Sequence, residues 1–133
     1  MKRGTLLCFS DYNKLPDRKL KAAGVDIIIA LGHSGYEIDL QLAENIPELD
    51  LVVGGHSHTF LYNGPAPSRE KAGGPYPTYV TVNDTDKVVP VVQAFAYTKY
   101  MGHLKLNFDL ETGDLVSPVQ VGRFVNVSCS FKT

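Results

Sequence analysis

An α/β fold, a βαβ unit followed by mostly antiparallel strands, is what this sequence predicts, and three observations carry the prediction. Residues 27–31 (IIIAL) and 51–53 (LVV) are continuous apolar runs rich in β-branched residues, the pattern of strands buried on both faces. Between them Ile38, Leu42 and Ile46 recur every four residues, with Ala43 and Leu49 on or near the same face, as an amphipathic helix requires. Further on, residues 103–110 (HLKLNFDL) put Leu104, Leu106, Phe108 and Leu110 on one face and polar groups on the other, a half-buried antiparallel strand.

Taken in order, residues 1–16 hold a short apolar patch, polar residues and Pro16, and predict no firm element. Residues 17–23 (DRKLKAA) read as the last turns of a helix stopped by Gly24, a usual residue just past a helix end. Residues 25–31 are the first strand. Ser34 and Glu37 have the S-x-x-E spacing of a capping box, so a helix is expected from Gly35 to about Asn45, ended by Pro47. Residues 49–53 are the second strand, parallel to the first because a helical crossover joins them. Residues 60–77 contain Pro65, Pro67, Pro75 and Pro77 with several glycines, and form a long loop. A strand over 78–82, a turn over 83–87 and an apolar stretch over 88–96 follow, with Pro90 suited to an edge strand or a strand start. Thr112, Gly113 and Asp114 supply a turn and Leu115 and Val116 the return. Residues 121–133 carry no pattern that defines an element.

At 133 residues the chain is one domain at most. Its 13 basic and 14 acidic side chains are spread without long runs, which argues against a nucleic-acid or polybasic membrane surface. No apolar stretch approaches the roughly 20 residues that span a bilayer. The start, MKRGTLLCF, lacks the apolar region of about 7 to 15 residues of a secretory signal, so none is expected. Cys8 and Cys129 lie near opposite ends and fit two free thiols as well as a disulfide. Asn83 and Asn126 begin N-glycosylation patterns, which matter only in an exported protein.

Both predicted parallel strands end in Gly/His/Ser loops, GHSG at residues 32–35 and GGHSHT at 54–59, which hold three of the four histidines. Neighbouring strands lie about 4.8 Å apart, so His33 and His56 are within reach of one cation. His58, two residues on, points the same way if that segment is extended. Gly32, Gly35, Gly54 and Gly55 remove side chains that would block a ligand. Imidazole suits zinc, manganese or iron. The N-terminus of the intervening helix opens at the same edge and favours an anion, so metal and phosphate are compatible neighbours there. Any one of these histidines alone would read as an ordinary polar loop residue; three in two adjacent Gly-rich loops read as ligands. His103 reads as structural. Tyr62, Tyr97 and Tyr100 could stack on a base, but isolated tyrosines more often pack.

At LGHSG and GGHSHT the chain resembles the 5′-nucleotidase and apyrase family of calcineurin-like metallophosphoesterases, animal ecto-5′-nucleotidases above all. The resemblance runs over residues 17–117, through the proline-rich loop to VPVVQAFAYTKYMGHLKLNFDLETGDLVS. It implies a four-layer α/β/β/α catalytic domain with two divalent ions, commonly zinc, that polarise a phosphate and activate water. By that likeness His33 and His56 are ligands of the second metal, and His58 falls where the family has Gln, Asn or His near the first. No residue of this chain matches the family's catalytic histidine, and no substrate-binding residue is assigned.

The family's Asp-x-His and Gly-Asn-His-Glu/Asp motifs do not occur in these residues, and no Gly-Asp precedes the GHSG loop, since Gly113-Asp114 belongs to the late turn. The chain is therefore expected to be a fragment: residues 17–120 as the C-terminal half of the catalytic domain, 1–16 as a poorly defined leading segment and 121–133 as a divergent tail. The parent is expected to hydrolyse nucleoside 5′-monophosphates at the cell surface or outside the cell, possible dimers included. The fragment itself is expected to be inactive. Alternatives are a non-catalytic secreted protein that binds metal or nucleotide, and an apyrase acting on ATP or ADP.

Overall fold

The computed structural model describes residues 4–9, 17–116 and 120–126. Nine elements follow one another: β1 (Gly4–Phe9), α1 (Asp17–Ala22), β2 (Ile27–Gly32), α2 (Tyr36–Asn45), β3 (Leu51–Val53), β4 (Thr78–Thr81), β5 (Val88–Val92), β6 (Tyr100–Lys105) and β7 (Gln120–Asn126). Five strands form one sheet in the order β1-β2-β3-β5-β4, and β6 pairs with β7 in a second. The first four strands of the five run parallel, and only β4 is antiparallel, paired with β5. The expected βαβ unit is present as β2, α2 and β3, and the strands that follow it pair mostly antiparallel, β4 with β5 and β6 with β7, as expected.

Helix α1 stops as its glycine requires. Gly24 has φ +80°, its N–H donates to Lys21 O at 3.0 Å, and the Val25 N–H donates to Leu20 O at 3.0 Å, the paired bonds of a Schellman ending. Helix α2 starts differently from the expected capping box. Its N-cap is Gly35, at φ 99°, and no side chain caps it. Instead the Tyr36 N–H donates to Ser57 Oγ at 3.0 Å, so a residue 21 positions along the chain satisfies a free N–H at the helix start.

Each face of the large sheet carries a core. Ile28, Ala30, Val52 and Val91 pack with Leu42 and Ala43 of α2 and with Ile46 just past its end on one side; Leu51 and Val92 pack with Leu61 and Tyr76 on the other. Ile27 and Ile29 of β2 are only half-buried, because the second cluster covers that face less completely than α2 covers the first. Leu49 and Leu61 are fully buried, and burial of such a side chain contributes about 1.5–3 kcal/mol. Leu110, expected on the apolar face of its strand, is 81% exposed because β6 ends at Lys105; the chain then turns through the Phe108–Leu115 bridge.

Three further expectations are corrected. Residues 4–9, predicted as no firm element, form β1, which adds to β2 with Gly4 opposite Ile27. Residues 120–126 form β7, antiparallel to β6, where no element was defined. Pro90 sits in an internal strand and not at an edge. Val92 O accepts the Gly54 N–H, so Val92 and Pro90 turn their backbone groups toward β3. Pairing with β3 begins only at Val52 and Val91, and the missing N–H of Pro90 therefore lies at the open beginning of that ladder. Cys129 and Ser128 lie outside the described residues.

Candidate metal centre

Parallel strands β2, β3 and β5 all end at one edge of the sheet, and their loops meet there. His33 follows β2, His56 and His58 follow β3, and Gln93 follows β5. His33 and His56 face each other with ring centroids 5.3 Å apart and planes at 73°. A metal–nitrogen bond of about 2.0–2.1 Å puts a ring centroid about 3.2 Å from the ion, and two tetrahedral imidazole ligands then have centroids about 5.2 Å apart. The observed pair fits that spacing.

Glycines make the approach possible. A Cβ on Gly55 would lie 2.9 Å from His33 Nδ1, and a Cβ on Gly54 would lie 1.8 Å from Asp39 Oδ2. Gly35, at φ +99°, lets the chain turn from the His33 loop into α2, and a Cβ there would lie 3.7 Å from His56 Cδ2. Gly32 has no such demand, since only Ser34 Oγ comes within 4 Å of a Cβ there.

His58 departs from the extended geometry that would align it with His56. Both residues are left-handed, at φ 74° for His56 and 53° for His58, and the His58 ring packs edge-on against Tyr97 at 5.1 Å. Among the described residues no group of three or more His, Cys, Asp or Glu side chains is placed to hold one metal ion. The loops thus bring two imidazoles together, His33 and His56, and pack the His58 ring on Tyr97.

Backbone strain concentrates at this edge. Six non-glycine residues have positive φ among the described residues, and five of them, His56, His58, Phe95, Tyr97 and Thr98, lie in the loops after β3 and β5. Such conformations cost about 1–3 kcal/mol each and persist where surrounding contacts enforce them. Of the three tyrosines that could stack on a base, Tyr97 is 84% exposed, whereas Tyr100 is buried and Tyr62 stacks on Phe60 at 5.3 Å. The proline-rich loop is held against this region by Lys99, which donates to Ser68 Oγ at 3.1 Å and pairs with Glu70.

Two buried polar residues beneath the loops were not singled out from the sequence. Gln93 is 2% exposed and Asp39 is wholly buried, with neither carboxylate oxygen hydrogen-bonded. Burial raises Asp39 from 3.8 to about 6, opposed in part by the Gln93 side chain beside it. Asp39 had a sequence signal: it shares the helix face of Leu42, Ala43 and Ile46. Gln93 had one too, as the polar residue that ends the apolar run of β5.

The chain is similar to known proteins over most of its length. Human 5′-nucleotidase is 54% identical over 99 residues, 74% of this chain and 17% of that protein. The snake venom 5′-nucleotidase of Naja atra is 50% identical over 91 residues, 68% of this chain and 17% of that protein. The 5′-nucleotidase precursor of Thermus thermophilus superposes with a TM-score of 0.75 at 36% identity, over 89% of this chain and 23% of that one. No family model matches the chain. These likenesses place the fold in the calcineurin-like class. The chain belongs to the 5′-nucleotidase family, and it spans less than a fifth of the length of the curated relatives just named. No helix among the described residues is long and apolar enough to cross a membrane.

Proposed function

We propose that this chain supplies one half of the metal centre of a 5′-nucleotidase that hydrolyses nucleoside 5′-monophosphates, AMP to adenosine and phosphate. The observation that carries the reading is the facing pair His33 and His56 at tetrahedral-ligand spacing, in a chain 54% identical to human 5′-nucleotidase over 99 residues. His33 and His56 would hold a divalent ion, zinc by the chemistry of imidazole donors, and His58 would stand next to the ion or its water. A metal held there supplies Lewis-acid polarisation of a phosphate oxygen. The chain's own contribution is to fix two nitrogens at the sheet edge and to keep the glycine loops clear for the phosphate.

Two ligands without a carboxylate make a weak seat, so the isolated chain is expected to bind zinc and not to turn over AMP. Calorimetry on the chain should show one weak zinc site that His33→Ala or His56→Ala abolishes. Turnover of AMP with zinc or manganese, lost in both variants, would show instead that the chain is catalytic by itself. The same two-ligand geometry favours, as a second reading, a binding module that captures metal without chemistry; zinc binding unaffected by AMP separates it from the nucleotidase reading. An extracellular location is proposed on the likeness to a venom protein.

A further inference from the structure

The loop from Gly55 to Thr59 holds two left-handed histidines, and within it the Ser57 N–H donates to Gly55 O at 2.9 Å and Ser57 Oγ lies 2.8 Å from Thr59 Oγ1. Three of its contacts with the rest of the fold are made by one side chain, Gln93. Its Nε2 donates to Gly55 O at 3.1 Å, its Oε1 accepts the Thr59 N–H, and Ser57 Oγ lies 3.1 Å from the same oxygen. One side chain thus clamps both ends of the loop. Ser57 Oγ also accepts the Tyr36 N–H at 3.0 Å, the start of the helix that follows the His33 loop. The hydrogen-bonded path Gln93, Ser57, Tyr36 therefore joins the strand end after β5 to the loops bearing His56 and His33.

We propose that Gln93 is the positioning residue of the metal centre: it holds the Gly55–Thr59 loop in its left-handed form and, through Ser57, sets the distance between His56 and His33. This rests on the metal reading above for its purpose, though not for its geometry. The amide is suited to the task because it donates and accepts at once, which neither a carboxylate nor an apolar side chain of similar size does. Groups that orient metal ligands in this way typically change affinity by about 10- to 100-fold when removed.

The test uses the full chain, metal-free and titrated with cobalt(II), whose visible absorption reports nitrogen ligation. Gln93→Leu is expected to weaken cobalt binding by about tenfold or more. It should also speed amide exchange at Ser57 and Thr59 by a similar factor while leaving Val52 and Val91 unchanged. Gln93→Glu, which keeps the acceptor for Thr59 and loses the donor to Gly55, should fall between. Ser57 is exposed, so Ser57→Ala should leave the fold intact and weaken cobalt binding alone; it carries the test if Gln93→Leu does not fold. Unchanged cobalt affinity in the folded variants, or equal acceleration of exchange in loop and core, overturns the proposal. If the unmodified chain binds no cobalt the metal reading falls, and loop exchange still decides whether Gln93 sets the loop.

Discussion

Replacing Asp50 with alanine is expected to lower the unfolding free energy by about 3 kcal/mol, the lower end of what breaking a buried ion pair costs. Asp50 is 2% exposed and stands immediately before β3. Its Oδ2 accepts the Ile28 N–H at 2.8 Å, and Lys87 Nζ lies 2.9 Å from its Oδ1 and Lys21 Nζ 3.6 Å from its Oδ2. The two lysines reach further, Lys87 to Pro47 O at 2.8 Å and Lys21 to Asp26 O at 2.7 Å. One carboxylate therefore ties the end of α1, the beginning of β2 and the turn before β5. Both lysines retain some exposure, 36% and 26%, and can turn to water when the partner is lost. The Ile28 N–H is buried and cannot, which is why the loss stays large. Asp50→Asn keeps an acceptor for that N–H and should cost roughly half as much or less. Urea unfolding followed by circular dichroism measures both; a loss below about 1 kcal/mol in Asp50→Ala would show that the network is replaceable.

What was legible in the sequence was whatever depends on neighbours in the chain. The four-residue recurrence of Ile38, Leu42 and Ile46 predicts α2, and the runs ending at Gly32 and Gly54 predict parallel strands with histidines at one edge, as the structure has them. The juxtaposition of His33 and His56 followed from strand spacing alone. Features set by distant residues were not legible. The Ser34 to Glu37 spacing suggests a capping box, but Gly35 takes the cap and Ser57 the free N–H, a bond across 21 residues. β1 and β7 form by adding to strands already fixed elsewhere, and neither Gly4–Phe9 nor Gln120–Asn126 has a period strong enough to declare itself. His58 was misaligned with His56 because a period of two holds only for extended backbone, and both residues are left-handed.

Asp39→Asn is expected to stabilise the chain at pH 8 and to leave it unchanged at pH 4. Asp39 is wholly buried and neither oxygen has a partner at hydrogen-bonding geometry, so burial disfavours its charged form, with only partial relief from the Gln93 side chain beside it. The folded-state value is raised from 3.8 to about 6. A raised value means that the folded chain holds the proton more tightly than the unfolded chain. The stability this contributes is complete below about pH 4 and is lost as pH rises through about 6. A shift of about two units is on the order of 3 kcal/mol, and asparagine, which carries no charge at any pH, should recover most of it at pH 8. Urea midpoints of the two proteins should therefore nearly coincide at pH 4, separate as pH rises to about 6 and hold a constant separation from about pH 7 to 8. The same difference at pH 4 and pH 8, or a less stable variant at pH 8, would mean that the carboxylate is paired in solution. Gly54 supplies the reciprocal test. Its missing Cβ is the space that the Asp39 carboxylate occupies, 1.8 Å from where that carbon would stand, so Gly54→Ala should be strongly destabilising alone and much less so when combined with Asp39→Ala. Such coupling would fix the carboxylate against the loop that carries His56, which is where a buried charge would bear most directly on the cation proposed for the sheet edge.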